Sequence, residues 1–299
     1  MIFKRIIRRL LSILIKRILG ILLATKAGRE FLFRAYPANM LLIANNPHES
    51  YVVNTSDLEI GLKTFVSRDA FSSDMFRDVF SLLPKEHSKN TIVDIGANIG
   101  TISIYAIANN FFKTAIAFEP EPQNFRLLKT NVALNNLENF FILHNIALSD
   151  TSGDTLQFEL CVENQGDHRV RVAQKDGLFR ENERNVISVK SDILDNYSQE
   201  FEKNSTLIWI DTQGYEGLIF SGADSIISKQ IPICMEFWPY GLKRADGYDR
   251  LLEIFSNSQY QKIVDLRRPD IELKLNRENL EKIARELGFD GKHTDLLIL

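Results

Sequence analysis

Residues 91–119 constrain this chain more than any other stretch. Thr91-Ile-Val-Asp94-Ile is a short β-branched run that breaks into Gly96-Ala97-Asn98-Ile-Gly100 and then into a helical pattern. A second apolar run, Ala115-Ile-Ala-Phe, ends on Glu119, 19 residues after Gly100. A strand, a glycine turn opening a helix, and a second strand ending in an acid make a βαβ unit built for a nucleotide-like ligand. The glycines let the ligand approach the backbone at the helix start, and the acid accepts from a ribose diol.

The same alternation continues downstream. Strands are expected at 91–95, 114–119, 140–144, 206–211 and 231–237, with helices at 99–109, 123–135, 217–229 and 247–257. Late strands are expected at 260–265 and 295–299. Two further strands, 154–162 and 185–189, flank a polar loop at 163–182. Residues 40–70 read as short strands and 73–83 as a helix stopped by Pro84. Short connections between alternating elements imply an α/β fold, a mostly parallel sheet covered on both faces. In such sheets ligands bind beyond the carboxyl ends of the strands, near the point where strand order reverses. Asp94, Glu119, Asn145, Asp211 and Glu236 all fall at or just past strand ends.

The bulk charge of −3 conceals an asymmetry: residues 1–30 carry +7 and the rest −10. Lys4, Arg5, Arg8, Arg9, Ser12 and Lys16 recur at three- and four-residue steps on one face of a helix whose remainder is apolar. Its longest run free of charge, Ile18 to Thr25, is eight residues, against the roughly 20 needed to span a bilayer. Lys16 and Arg17 also interrupt the apolar core that a secretory signal needs. Residues 1–28 therefore read as a helix for either an anionic membrane surface or a partner protein. Residues 29–88 read as strands and a helix packed on the core, and 89–299 as the ligand-binding domain. Two cysteines, Cys161 and Cys234, fit a reducing compartment. The expected location is cytoplasmic, at the membrane face if the helix binds lipid. An acidic body with one apolar-backed basic helix does not suggest nucleic acid.

The glycine turn is one residue shorter than a dinucleotide fingerprint, and Asp94 precedes it. A carboxylate there repels a phosphate and attracts an ammonium, which favours S-adenosylmethionine over a nicotinamide dinucleotide. Asp94, Gly96, Ala97, Asn98 and Gly100 would form the turn around it, and Glu119 would take the ribose. Asn145 and Ala147, in Asn145-Ile-Ala-Leu-Ser-Asp150, would line the adenine.

With Phe118-Glu-Pro120 and Ile210-Asp-Thr-Gln-Gly-Tyr-Glu216, these blocks resemble the FkbM family of S-adenosylmethionine-dependent methyltransferases over roughly residues 90–240. The resemblance implies a Rossmann-like class I methyltransferase sheet of seven strands with the last antiparallel. It also implies O-methylation of a sugar, glycan or glycolipid-type hydroxyl. Trp209 and Gln213 stand where the family pattern has Lys and Glu.

For the reacting end, Asp211 is the expected base or acceptor anchor, and Glu236 is an acid closing an otherwise apolar strand. His168, in Gly166-Asp-His-Arg-Val-Arg171, is a candidate general base, with Arg169 or Arg171 holding an anionic substrate. Trp238-Pro-Tyr240 would wall a sugar ring or form a buried lid. No Cys/His spacing suggests zinc, so no metal ligands are assigned; carboxylate-held Mg²⁺ is open but not indicated. The acceptor would be a hydroxyl-bearing small molecule, glycan or lipid-linked molecule. Two other readings remain. One is an NAD(P)-dependent oxidoreductase or epimerase, whose Gly-x-Gly-x-x-Gly and Tyr-x-x-x-Lys are both missing here. The other is a non-catalytic membrane-docked scaffold. The sequence does not set the oligomeric state.

Overall fold

A computed structural model describes residues 2–172 and 177–299; part of the polar loop, 173–176, lies outside the described residues. Helices α1 (Ile2–Ala24) and α2 (Lys26–Ala35) precede a hairpin of β1 (Leu41–Asn45) and β2 (Ser50–Asn54). Helices α3 (Ile60–Ser67) and α4 (Ser73–Leu82) follow. The alternating part then begins with β3 (Thr91–Ile95), α5 (Thr101–Ala108), β4 (Thr114–Phe118), α6 (Pro122–Leu134) and β5 (Phe141–His144). A short-stranded insert holds β6 (Ala147–Leu148), β7 (Thr155–Leu160), β8 (Arg169–Val170) and β9 (Asn185–Asp192). Next come β10 (Thr206–Ile210), α7 (Glu216–Ser221), α8 (Asp224–Lys229), β11 (Ile233–Phe237), α9 (Pro239–Arg244) and α10 (Tyr248–Asn257). The chain closes with β12 (Lys262–Asp265), β13 (Glu272–Lys274), α11 (Arg277–Leu287) and β14 (Thr294–Ile298).

The main sheet runs β13-β12-β14-β11-β10-β3-β4-β5. β11, β10, β3, β4 and β5 are parallel, and β14 returns antiparallel between β11 and β12. This is the class I methyltransferase order, with one short edge strand, β13, added to the seven expected. The central strands carry apolar side chains on both faces, as parallel strands under two helical layers must. On β10, Ile208 and Ile210 enter one core, while Leu207 and Trp209 enter the other. The insert forms a separate sheet, β6-β9-β7-β8, over the carboxyl ends of the main strands.

Residues 60–67 are helical, which corrects the expectation of strands there. The Asp57 carboxylate accepts from the N–H groups of Gly61 (2.8 Å) and Glu59 (3.1 Å). That capping starts a helix despite β-branched and aromatic side chains. The single helix expected over 217–229 breaks at Gly222, where a Cβ would stand 2.6 Å from the Ser149 carbonyl oxygen. The hairpin is tied to α6: Asn131 Oδ1 accepts from Val52 N–H (2.6 Å) and Asn135 Oδ1 from Ser50 N–H (2.8 Å).

Candidate active site

Sheet growth reverses between β3 and β10, and the turn after β3 fills that corner. Gly96 (φ +83°), Asn98 (φ +51°) and Gly100 (φ +89°) swing the chain into α5. A Cβ on Gly96 would lie 2.0 Å from the Asp211 carbonyl oxygen, so only glycine lets the ends of β3 and β10 sit together. A Cβ on Gly100 would meet Leu128 Cδ1 at 2.6 Å. Both glycines are thus demanded by the protein's own packing.

Gly96, Asn98, Glu119 and Ala147 line a cavity at this corner. Asp94, Ala97, Gly100 and Asn145 stand beside these residues, just behind the cavity lining. Asp94 Oδ2 accepts from Ser103 N–H (3.2 Å) in the first turn of α5, a favourable place for a carboxylate. Burial lifts its pKa to about 6. Asn145 Nδ2 donates to the carbonyls of Glu119 (2.8 Å) and Pro120 (3.1 Å), fixing the end of β4 from behind.

Glu119 is the pivotal acid of this cavity. Its Oε2 accepts from Asn98 N–H and its Oε1 from Glu121 N–H, each at 2.8 Å. Each carboxylate oxygen keeps a lone pair for a further donor, a pair of acceptors suited to a vicinal diol. Burial pushes this carboxyl up to about 8. Beside it, Asn124 Oδ1 is buried and, among the described residues, has no hydrogen-bond partner. Phe118, Ile146, Leu148, Phe158 and Val170 supply apolar walls of a kind that takes a flat base. The Gln165 carbonyl closes the roof, accepting from Asn98 Nδ2 (2.8 Å) and Asn124 Nδ2 (3.4 Å). Diol acceptors, an orphaned carbonyl oxygen and an apolar slot together fit the adenosine part of S-adenosylmethionine. Asn124 and Gln165 were not singled out in the sequence; Asn124 is distinguished only by its tertiary neighbours.

His168 lines the cavity, but its Nδ1 accepts from Cys161 N–H at 3.0 Å. Neutral imidazole then carries its proton on Nε2 and can only donate there. Burial, with Arg184 nearby, pushes its pKa down to about 4. In this arrangement His168 presents a hydrogen-bond donor at Nε2. Arg169 and Arg171 are not open to an anionic substrate. Arg169 Nε meets Glu159 Oε1 and its Nη1 meets Asp167 Oδ1, each at 3.0 Å, while Arg171 Nε meets Glu159 Oε2 at 3.4 Å. With the Arg184–Asp167 pair, they staple the roof sheet together.

A second, more open cavity lies across Asp211, which lines both. Gln213 Nε2 donates to Asp211 Oδ1 (2.7 Å) and to Glu236 Oε2 (3.2 Å). Asp295 pairs with Glu236 across β14 and β11, so three acids stand in a row at the sheet end. Burial raises the pKa of Asp211 and, together with Asp211, holds Glu236 well above the carboxylate range. Asp295 rises to about 7 from burial and Asp211. His293 Nε2 stands 3.9 Å from Glu236 Oε1. Glu216 faces inward: Oε1 accepts from the Thr212 N–H and hydroxyl, each at 2.8 Å, which holds the turn after β10. Trp238 and Phe179, 5.4 Å apart in an edge arrangement, wall this cavity. Tyr240 donates to Glu181 Oε1 at 2.7 Å instead. Among the described residues, no group of three or more His, Cys, Asp or Glu side chains is placed to hold a metal ion.

The Methyltransferase FkbM domain model matches residues 94–262, more than half of the chain. This chain belongs to the FkbM methyltransferase family. Among solved structures it is similar to the FkbM methyltransferase of Methylobacillus flagellatus KT, at 16% identity and a TM-score of 0.43, over 73% of this chain and 45% of that one. It is similar to Pyrococcus abyssi tRNA (uracil-54, C5)-methyltransferase in complex with S-adenosyl-L-homocysteine, at 12% and 0.42, over 86% and 43%. It is also similar to M. jannaschii TYW2 in complex with AdoMet, at 11% and 0.41, over 88% and 86%. The chain spans less than half the length of the first two of these structures. No curated protein sequence matches it. Within this FkbM chain the family match begins at Asp94 and covers the turn, Glu119, the roof, Asp211 and Glu236, while Asp295 lies beyond it.

Proposed function

We propose that this FkbM-family chain transfers a methyl group from S-adenosylmethionine to a hydroxyl of a sugar, glycan or glycolipid-type acceptor. The observation that carries this reading is the position of Asp211: a carboxyl on the boundary of two cavities, one fitted to adenosine and one open and aromatic-walled. When bound, S-adenosylmethionine supplies an electrophilic methyl on a sulfonium. Glu119 accepts from the ribose hydroxyls, and His168 donates from Nε2 into the same cavity. Asp211 receives the acceptor's hydroxyl proton, and its raised pKa brings it nearer the range of a useful base at neutral pH. Gln213 fixes the Asp211 rotamer, leaving Oδ2 for that proton. Trp238 and Phe179 form a closed back wall of the open cavity, with the Arg169 guanidinium over their rings. The roof excludes water from the cofactor side.

The test is transfer of labelled methyl from S-adenosylmethionine to a panel of sugars, glycolipids and amines. Label in alkali-stable ethers, with Asp211→Asn losing turnover but keeping cofactor affinity, supports the reading. Label only on amines, or turnover unaffected by Asp211→Asn, refutes it.

A further inference from the structure

Between Ile6 and Leu23, helix α1 leaves most of its apolar side chains uncovered: Leu10 is 62% exposed, Leu14 54% and Ile21 68%. An apolar surface of this extent calls for a covering. The charges say which one. Residues 2–24 hold six cations and no acid, and five of those cations lie on one face with Ser12. Among the described residues, no helix is long and apolar enough to cross a membrane. An apolar face backed by cations matches a bilayer interface, with acyl chains below and anionic headgroups beside.

The helix is also fixed to the body in a defined direction. The Leu23 carbonyl accepts from Arg29 Nη1 (2.9 Å) and Arg68 Nη2 (3.0 Å), cations where the end of a helix favours them. Arg29, itself buried, donates from Nε to the Val66 carbonyl (2.8 Å) at the end of α3. At the corner, a Cβ on Gly28 would stand 2.2 Å from the Leu22 carbonyl oxygen, so α1 and α2 meet backbone to backbone. From the clamp, α3 runs back to Ile60 and Lys63, which line the open cavity beside Asp211. Eight residues of helix cover about 12 Å.

We propose that α1 is a rigid membrane-docking element that lies in an anionic lipid interface and holds the open cavity close to the bilayer. Docking stands on α1 and its clamp alone. The corollary that acceptors are lipid-linked and enter from the membrane rests on the methyl-transfer reading above.

The test is co-sedimentation of the full chain with phosphatidylcholine vesicles, with and without phosphatidylglycerol. Sedimentation only with the anionic lipid, weakened by salt, is expected. Each cation near such a surface contributes about fivefold in partitioning, so Arg5→Gln/Arg8→Gln/Arg9→Gln should lose about 100-fold. Leu10→Ser/Leu14→Ser should also lose binding, with the thermal midpoint of the body unchanged. Equal sedimentation with both vesicle types, or none with either, overturns the proposal. So does a lipid-free oligomer that Leu10→Ser/Leu14→Ser dissolves, because a second copy would then cover the face. Failure here with normal cofactor titration would leave the methyl-transfer reading intact.

Discussion

Glu119 gives the sharpest quantitative handle on the cofactor cavity. In the free protein its carboxyl sits near 8 because burial outweighs the two backbone N–H groups it accepts from. A protonated carboxyl is favoured in the folded state relative to the unfolded chain. The free protein therefore loses stability as pH rises from the ordinary glutamate range toward 8. A ribose diol reverses the balance, since two further hydrogen bonds to the oxygens favour the ionised form. Cofactor binding then expels a proton. Below the free-protein pKa, affinity rises up to tenfold per pH unit, so it should gain about 100-fold between pH 6 and 8 and flatten beyond. Glu119→Gln removes the titration and turns an amide N–H toward a backbone N–H. The cost is a charge-assisted hydrogen bond plus an unsatisfied donor, about 2–4 kcal/mol, or roughly 30- to 1000-fold in affinity. The assay is calorimetric titration of S-adenosylmethionine from pH 6 to 9 in buffers of different ionisation enthalpy. The wild type should release close to one proton at pH 7 from this group, and the variant should lack that component. Equal proton release and equal pH slopes in the two proteins would refute the assignment of Glu119 to the diol.

Asp211→Asn should lower kcat by about 10²- to 10⁴-fold, the usual worth of a positioned base, while cofactor affinity stays within a few-fold; a proportional loss of both would recast Asp211 as a binding residue. Gly96→Ala forces a Cβ to 2.0 Å from the Asp211 carbonyl oxygen at φ +83°. It should cost more than the roughly 1–2 kcal/mol of a left-handed residue alone, read from denaturant midpoints; a cost below about 1 kcal/mol would mean the two strand ends separate freely. Gln213→Glu removes the donor shared by Asp211 and Glu236 and adds a fourth acid to the row. Its destabilisation should be larger at pH 8 than at pH 5, because the raised pKa values of the row leave less charge at the lower pH, and a pH-independent penalty would refute the charge argument.

The strands of the parallel core were legible because both faces are buried. Ile92-Val93 or Leu207-Ile208-Trp209-Ile210 cannot be amphipathic when helices cover each side, and they read as unbroken apolar runs. The glycine turn and Glu119 were legible because local backbone demands fix residue type and spacing. What depended on distant partners was not. The helix at 60–67 owes its start to Asp57 and its far end to Arg29, neither visible in its own apolar pattern. The character of His168 is decided by one N–H, that of Cys161, across the β7–β8 turn. Asp94 stood out by charge alone, and its bond to the start of α5 depends on Ser103, nine residues on. Asp295 belongs to the site only because β14 returns beside β11.

That return explains why glutamine suits position 213. Met235 pairs with Ile210 on the parallel side, so Asp211 and Glu236 follow at the same level, and Asp295 faces Glu236 from the antiparallel side. The topology thus stacks three carboxyls at adjacent strand ends. Like charges this close cannot all ionise, and the row must keep protons or find donors. Gln213, held at φ +56°, turns one amide nitrogen to two of the three acids. An amide serves here better than a fourth carboxyl because it donates without adding charge. The row it leaves lines the open cavity. In the proposed methyl transfer, only the ionised fraction of Asp211 could take the hydroxyl proton, so the charge that Gln213 keeps out of the row matters to the reaction as well as to stability. Gln213→Glu tests whether the amide at 213 and the acid row act together.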